Sequence, residues 1–259
     1  MSMTEVLAEL SAQENCRESD LEEARSIQEL MLPAEALRTP HVTVAHAFKP
    51  AAEVGGDFLD YFSLADETVG VYLGDVCGKG LPAALYAALA VGTLRGVHKT
   101  GQSPASVLAT LNRRLTIRGI PRRYATMQYA LCDPRSGVMQ IASAGMSGPL
   151  HVSQSGCREL QLSGLPPGMF PNTSYETHTW QLQAGDSIVF FSDGIVEARD
   201  VSGDFFGMER LVELCEAQGG ANSAPLLERI FAAVQSFACG CEQHDDMAIA
   251  VFQFIGVRG

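Results

Sequence analysis

The stretch that most narrows what this chain can become runs from Val69 to Ala84. An apolar run, Val69-Gly70-Val71-Tyr72-Leu73, ends in Gly74 and an acid, Asp75. Two further glycines follow at Gly78 and Gly80, and Pro82 opens a segment rich in Ala and Leu. This is the grammar of a strand, a tight acidic turn and a helix with proline just inside its start. A carboxylate on such a turn supplies charged oxygen, and the glycines let bare backbone carbonyls approach the same point, which outlines a site for a hard cation. Taken alone, the turn reads better as a helix start capped by Asp75.

Three other acidic clusters change that balance. Glu53-Val54-Gly55-Gly56-Asp57-Phe58-Leu59-Asp60 lies upstream, Ser192-Asp193-Gly194 follows the apolar run Ser187-Ile188-Val189-Phe190-Phe191, and Asp245-Asp246 precedes the apolar run 247–254. Each acid stands beside a predicted strand, and strand ends far apart in sequence can meet in space. Four such acids suit a hydrolytic site in which two ions bind phosphate and generate hydroxide. Such ligands favour hard ions, and no His or Cys grouping offers a softer alternative.

The order of these segments resembles a known family. Glu-Val-Gly-Gly-Asp at 53–57, Gly-Asp-Val-Cys-Gly-Lys-Gly-Leu-Pro-Ala-Ala at 74–84, Phe-Ser-Asp-Gly-Ile-Val-Glu-Ala at 191–198 and Asp-Asp-Met at 245–247 are similar to the SpoIIE/RsbU type of PPM (type 2C) serine/threonine phosphatase, over about residues 45–254. The resemblance implies an α+β fold, a four-layer α-β-β-α sandwich with two central, mainly antiparallel sheets. It implies two ions, Mn2+ or Mg2+. Asp75 would bridge them, with the backbone carbonyl of Val76 joining, Asp193 and Asp245 would hold one, and Asp57 would lie at the other, directly or through water. Of the adjacent acids Asp245 and Asp246 only one should face the ions, because neighbouring side chains in a strand point opposite ways; the family's pattern selects Asp245. The implied reaction is hydrolysis of phosphoserine or phosphothreonine by a metal-bound hydroxide. The implied substrate is a phosphorylated STAS-type anti-sigma-factor antagonist in bacterial partner switching.

Other residues have blander readings. Glu53 serves the loop, Asp60 pairs locally and Cys77 is a small packing residue; Lys79 reads as a solvated side chain, the alternative being a place near the substrate phosphate, and His244 as a surface-loop residue, the alternative being a general acid. Gly78-Lys79 is no P-loop, since Leu73 stands where the first glycine belongs and Gly80 where Ser or Thr belongs. No Gly-x-Ser-x-Gly elbow accompanies a serine nucleophile.

Composition sets bounds on the rest. With 46% hydrophobic residues among 259, a large core is expected. A net charge of −12 without a Lys/Arg-rich run argues against a nucleic-acid surface. Seven cysteines, none in a Cys-x-x-Cys pair, argue against a disulfide framework and a zinc site. No signal peptide and no membrane-length apolar run is present, so a cytoplasmic protein with no membrane partner is the simplest expectation.

Along the chain, residues 1–40 read as a helix and linker and 41–259 as the phosphatase domain. Leu21, Ala24, Ile27, Leu30 and Met31 recur at helical spacing until Pro33, and 33–40 is the linker. That helix is a candidate homodimer contact. In the resembled family a helix ending in Gln, a few apolar residues and Pro joins a receiver or sensor domain to the phosphatase, and Gln28-Glu29-Leu30-Met31-Leu32-Pro33 has that form; the chain is then a piece of a longer protein, or its regulation comes in trans. Strands are predicted at 42–48, 58–63, 68–73, 125–132, 138–144, 149–152, 177–182, 187–191 and 247–254. Helices are predicted at 82–98, 104 to beyond Leu115, 208–217 and 224–238. The helix at 82–98 is apolar nearly all round, which predicts burial, and 194–203 reads as a loop or short turn. The rival to the enzyme reading is a non-catalytic module that sequesters a signalling partner; lost acids would mark it, and all four are present.

Overall fold

The computed structural model describes residues 3–217 and 222–256. Helix α1 (Met3–Glu29) leads into a sandwich of two sheets. The first sheet contains β1 (Leu37–Arg38), β2 (Val42–Lys49), β11 (Met247–Phe254), β10 (Ser187–Phe191), β7 (Leu150–Ser153) and β8 (Gly156–Glu159), in that spatial order. The second contains β3 (Phe58–Ser63), β4 (Val69–Val76), β5 (Ala125–Asp133), β6 (Val138–Ala144) and β9 (His178–Gln181). Every strand pairing is antiparallel. Helices α2 (Leu81–Val97) and α3 (Pro104–Ile117) cover the outer face of the second sheet; α5 (Gly207–Glu216) and α6 (Ser223–Phe237) cover that of the first. The one-turn α4 (Asp193–Val196) follows β10. The four-layer α-β-β-α expectation therefore holds.

Strand periodicity sorts the side chains into three cores. Along β10, Ile188 and Phe190 enter the core between the sheets, whereas Val189 and Phe191 face α5 and α6. Along β11, Ala248, Ala250, Phe252 and Phe254 point inward, while Met247, Ile249 and Val251 face the helices. Along β4, Val69, Val71 and Leu73 face the inner core and Tyr72 and Val76 the α2–α3 layer. Both β10 and β11 are buried on both faces, which accounts for a sequence that is apolar except at Ser187 and Gln253.

Several expectations need correction. The segment 33–40, read as a linker, carries β1, which pairs Leu37 with Val44 and Arg38 with Thr43. Strand β8 was not foreseen either, because Gly-Cys-Arg-Glu has no apolar alternation; as a short edge strand it needs none. The helix read as buried all round is not: α2 buries Ala83, Tyr86, Ala87, Ala90, Val91 and Leu94, but Leu81, Leu85 and Leu89 are 44%, 65% and 41% exposed. A helix in an outer layer has only one face to bury, whatever its composition. The strongly amphipathic α5 and α6 bury their stripes as read, with Leu211 and Cys215 on one and Leu226, Leu227, Ile230 and Val234 on the other.

Helix α1 is mostly exposed along its first two-thirds, and it meets the domain only near its end, where Gln28 is 4% exposed. Among the described residues, no helix is long and apolar enough to cross a membrane.

Candidate active site

The acids collect at one end of the sandwich, where β4 and β10 terminate and β3 and β11 begin. A cavity of about 440 Å³ opens there, and Asp75, Asp193, Asp245 and Glu197 lie in its wall together with Cys77, Tyr124 and Thr126. Asp75 is the next-to-last residue of β4 and Asp193 the first of α4; Asp245 stands two residues before β11. Asp57, directly before β3, lies behind them at 2% exposure.

The turn after β4 takes its shape from glycine. Gly78 and Gly80 adopt φ values of 99° and 67°, a left-handed region that disfavours side chains. The opposing loop comes close because Gly56 lacks a side chain: a Cβ there would sit 2.9 Å from the carbonyl oxygen of Val76 and 3.4 Å from Oδ1 of Asp75. The Val76 carbonyl therefore faces the loop that carries Asp57.

That loop is held by two side chains distant in sequence. Asp246 is 7% exposed, and its carboxylate accepts from the backbone N–H of Ala51 at 2.7 Å, of Gly56 at 2.6 Å and of Asp57 at 3.4 Å. Asp246 is thus the loop's anchor, whereas its neighbour Asp245 faces the cavity. From α1, Gln28 makes an amide pair with Gly55: Nε2 donates to the Gly55 carbonyl at 2.7 Å, and the Gly55 N–H donates to Oε1 at 3.0 Å. Ser192, fully buried, ties the end of β10 to β11 by accepting from the Ala248 N–H at 2.9 Å and donating to the Asp246 carbonyl at 3.3 Å.

Crowded carboxylates with little water resist ionisation. Burial holds the Asp57 carboxyl well above the usual carboxylate range, and the charges of Asp75 and Asp246 add to this. Burial, with Asp193 and Asp245, pushes Asp75 up to about 7, against a hydrogen bond from Asp57 that works the other way. Asp193, open to the cavity yet set among protein atoms, is raised by partial burial, Asp245 and Glu197. Oδ2 of Asp57 is buried without a hydrogen-bond partner. Such an arrangement asks for positive charge. Lys79, read as a solvated side chain, supplies some of it: its ammonium is exposed but lies 3.2 Å from Oδ2 of Asp245 and donates to the His244 carbonyl.

Among the described residues no three acidic, His or Cys side chains close around a single point as a ready-made cage. The donor set nonetheless fits hard divalent cations. It is all oxygen, it contains an orphaned buried carboxylate oxygen, and its charge is under-compensated.

The remaining acids follow their blander readings. Asp60 pairs with Arg95 at 2.8 Å and accepts from Tyr72 at 3.3 Å. Glu53 and His244 are exposed. Cys77 is half-buried, in the cavity wall rather than the core. Ser192, Glu197, Tyr124 and the anchoring by Gln28 and Asp246 were not foreseen as parts of the site. The Gln-to-Pro motif at 28–33 was the signal for Gln28; an acid directly before an all-apolar strand was the signal for Asp246.

Comparison with known proteins gives the family and the fold. Residues 65–255 match the family model of stage II sporulation protein E (SpoIIE). The chain is 28% identical over 240 residues to the phosphoserine phosphatase RsbU of Bacillus subtilis, covering 91% of this chain and 70% of that protein. It is 27% identical over 263 residues to the protein IcfG of Synechocystis sp., covering 90% of this chain but spanning only 41% of that protein's length. In fold it is similar to the SiaA PP2C domain of Pseudomonas aeruginosa, with a TM-score of 0.81, 22% identity and coverage of 94% and 98% of the two chains. The matched residues include three of the four acids and both central strands of the first sheet, β10 and β11, and on this basis the chain belongs to the SpoIIE family, the SpoIIE/RsbU type of PPM serine/threonine phosphatase domain.

Proposed function

We propose that this chain hydrolyses phosphoserine or phosphothreonine on a regulatory protein, with Asp57, Asp75, Asp193, Asp245 and the Val76 carbonyl holding two divalent cations, Mn2+ or Mg2+. The observation that carries the reading is the meeting of Asp75, Asp193 and Asp245 in one cavity, with the unpartnered oxygen of Asp57 behind them. When bound, two such ions supply Lewis acidity to phosphoryl oxygens and lower the pKa of water enough to give a nucleophile at neutral pH.

The chain's own residues prepare for that charge. Burial and neighbouring carboxylates raise both Asp57 and Asp75, so arriving positive charge relieves a repulsion already built into the site. Asp246, Ser192 and Gln28 fix the backbone that carries the acids, so little is spent on reorganisation. Lys79 must leave Asp245 or move aside; its long, exposed side chain makes that exchange easy.

The substrate we assign is a phosphorylated STAS-type anti-sigma-factor antagonist, in a bacterial partner-switching pathway in the cytoplasm. Support comes from the family and from the phosphoserine specificity in the name of RsbU. Residues 41–259 form the catalytic unit in this reading. Residues 1–40 form the helix and linker that would join a receiver or sensor domain, or pair two copies as a homodimer.

The test is phosphate release from such a phosphoprotein by the purified chain with Mn2+, with Mg2+ and with EDTA. Release that depends on the cation is expected. Tight binding of the phosphoprotein without release under any condition would leave only a sequestering module.

A further inference from the structure

The net charge of −12 hides a segregation. Between Asp75 and Asp133 the chain carries eight of its 18 Lys and Arg and none of its 30 Asp and Glu. Five of the eight are Arg113, Arg114, Arg118, Arg122 and Arg123, at the end of α3 and in the loop that leads to β5. All but Arg123 are exposed, and among the described residues those four make no ion pair. Elsewhere the acids predominate, so an acidic partner is repelled by most of this molecule and drawn to this one face.

The face adjoins the acidic cavity. A second groove, about 390 Å³, is lined by Ile120, Arg122, Arg123 and Met169 and shares Tyr124 with the cavity wall. Its apolar lining is accessible: Ile120 and Met169 are 53% and 36% exposed. The groove is also built rather than loose. Asn112, 2% exposed, donates to the Phe170 carbonyl at 3.0 Å and accepts from the Gly168 N–H at 2.8 Å, which seats the 166–170 loop on α3. Tyr86 of α2 donates to the Arg123 carbonyl at 3.3 Å, and the Arg123 guanidinium donates to the Cys77 carbonyl in the acidic turn. Arg122 is held at φ 63°, a conformation that an ordinary side chain adopts only when its surroundings impose it.

We propose that this arginine-edged groove docks the phosphoprotein through an acidic segment with an apolar anchor, adjacent to the phosphoserine that enters the cavity. The inference rests on the phosphatase reading above and adds the chemistry by which the substrate is chosen. The guanidinium groups beside the cavity provide the attraction, and the exposed Ile120 and Met169 a place for an aliphatic or aromatic side chain.

The test uses the full chain and three probes: para-nitrophenyl phosphate, and two synthetic phosphoserine peptides that share a leucine but carry either Asp/Glu or Lys flanks. Wild type is expected to prefer the acidic peptide by about tenfold or more in kcat/KM, and less at high salt. R118E/R122E is expected to abolish or invert that preference while hydrolysing para-nitrophenyl phosphate at the wild-type rate. R158E/R229E, the same charge change at exposed sites on the other helical side, is expected to leave all three unchanged. A wild type without preference, or an R118E/R122E variant that retains it, overturns the proposal. Equal binding of both peptides together with arginine-dependent retention on heparin also overturns it, since the face would then be a general polyanion surface. If wild type hydrolyses nothing, the phosphatase reading fails by itself; fluorescence anisotropy of the two peptides on wild type and R118E/R122E then decides the docking, with equal affinities counting against it.

Discussion

The two helical layers of this molecule do the same structural work and differ in almost everything else. Helices α5 and α6 are amphipathic, bury one stripe each and carry charges of both signs on their outer faces. Helices α2 and α3 carry no acid, expose three leucines and make contact with the site: Ala83 lies against Gly56, and Tyr86 holds the loop of Arg123. The first layer is a lid on a sheet, and its sequence is what burial alone requires. The second departs from that pattern where it borders the acids. Departures from the pattern that folding alone would select are where function is best sought.

The contrast can be broken by experiment. The largest effect is expected at the acids of the cavity: Asp75→Asn and Asp193→Asn should each lower phosphate release by about 10³-fold or more with the fold intact. Near-normal turnover in both purified variants would remove the basis of the site. The opposite layer should respond in the opposite currency: Ile230→Ala, fully buried on α6, should cost about 2–5 kcal/mol of stability by denaturant unfolding while the folded fraction keeps its activity.

The third effect is on pH. Asp75 titrates near 7 in the fold and near the ordinary carboxylate value in the unfolded chain, and Asp57 is raised as well. Between those values the native state binds more protons than the unfolded state, so stability is full below the unfolded value and falls as pH rises through about 7. Melting of the cation-free protein should therefore be lower at pH 8 than at pH 5, Mn2+ should restore it, and Asp75→Asn should flatten the slope. A slope unchanged by Asp75→Asn would mean that the titration belongs elsewhere.

Smaller effects belong to the borders. Gln28→Ala leaves the Gly55 N–H and carbonyl buried without partners, which should cost about 1–3 kcal/mol and lower activity through the Asp57 loop. Equal Tm and equal turnover would show that α1 does not support the site. Smallest of all, Leu85→Glu, on the exposed face of α2, should change stability by no more than about 0.5 kcal/mol. A large loss in a concentration-dependent melt would show that this face is covered in solution.

Much of the fold was legible because its signals are local. Period-two alternation located β2, β5 and β6, the hairpin pattern β3 and β4, the apolar runs β10 and β11, and the helical stripes α5 and α6. What local patterns missed had no local cause. Edge strands β1 and β8 exist only because a neighbouring strand offers them a partner. Lys79 has nothing beside it in sequence to suggest an ion pair, since its partner Asp245 lies on another strand's approach. The burial of α2 was overestimated because composition says how apolar a helix is, not how many of its faces meet protein.

The sequence by itself determined that acids would stand at the ends of strands, because glycine turns and apolar runs are written in neighbouring residues. Only the tertiary structure decided what each acid does. Asp246 became an anchor and Asp245 a wall of the cavity because the Gly56 loop, 190 residues away, presents its N–H to one of them. Gln28 became part of the site because it pairs with a buried backbone amide 27 residues on. Backbone groups shut away from water must find a partner wherever the chain brings one.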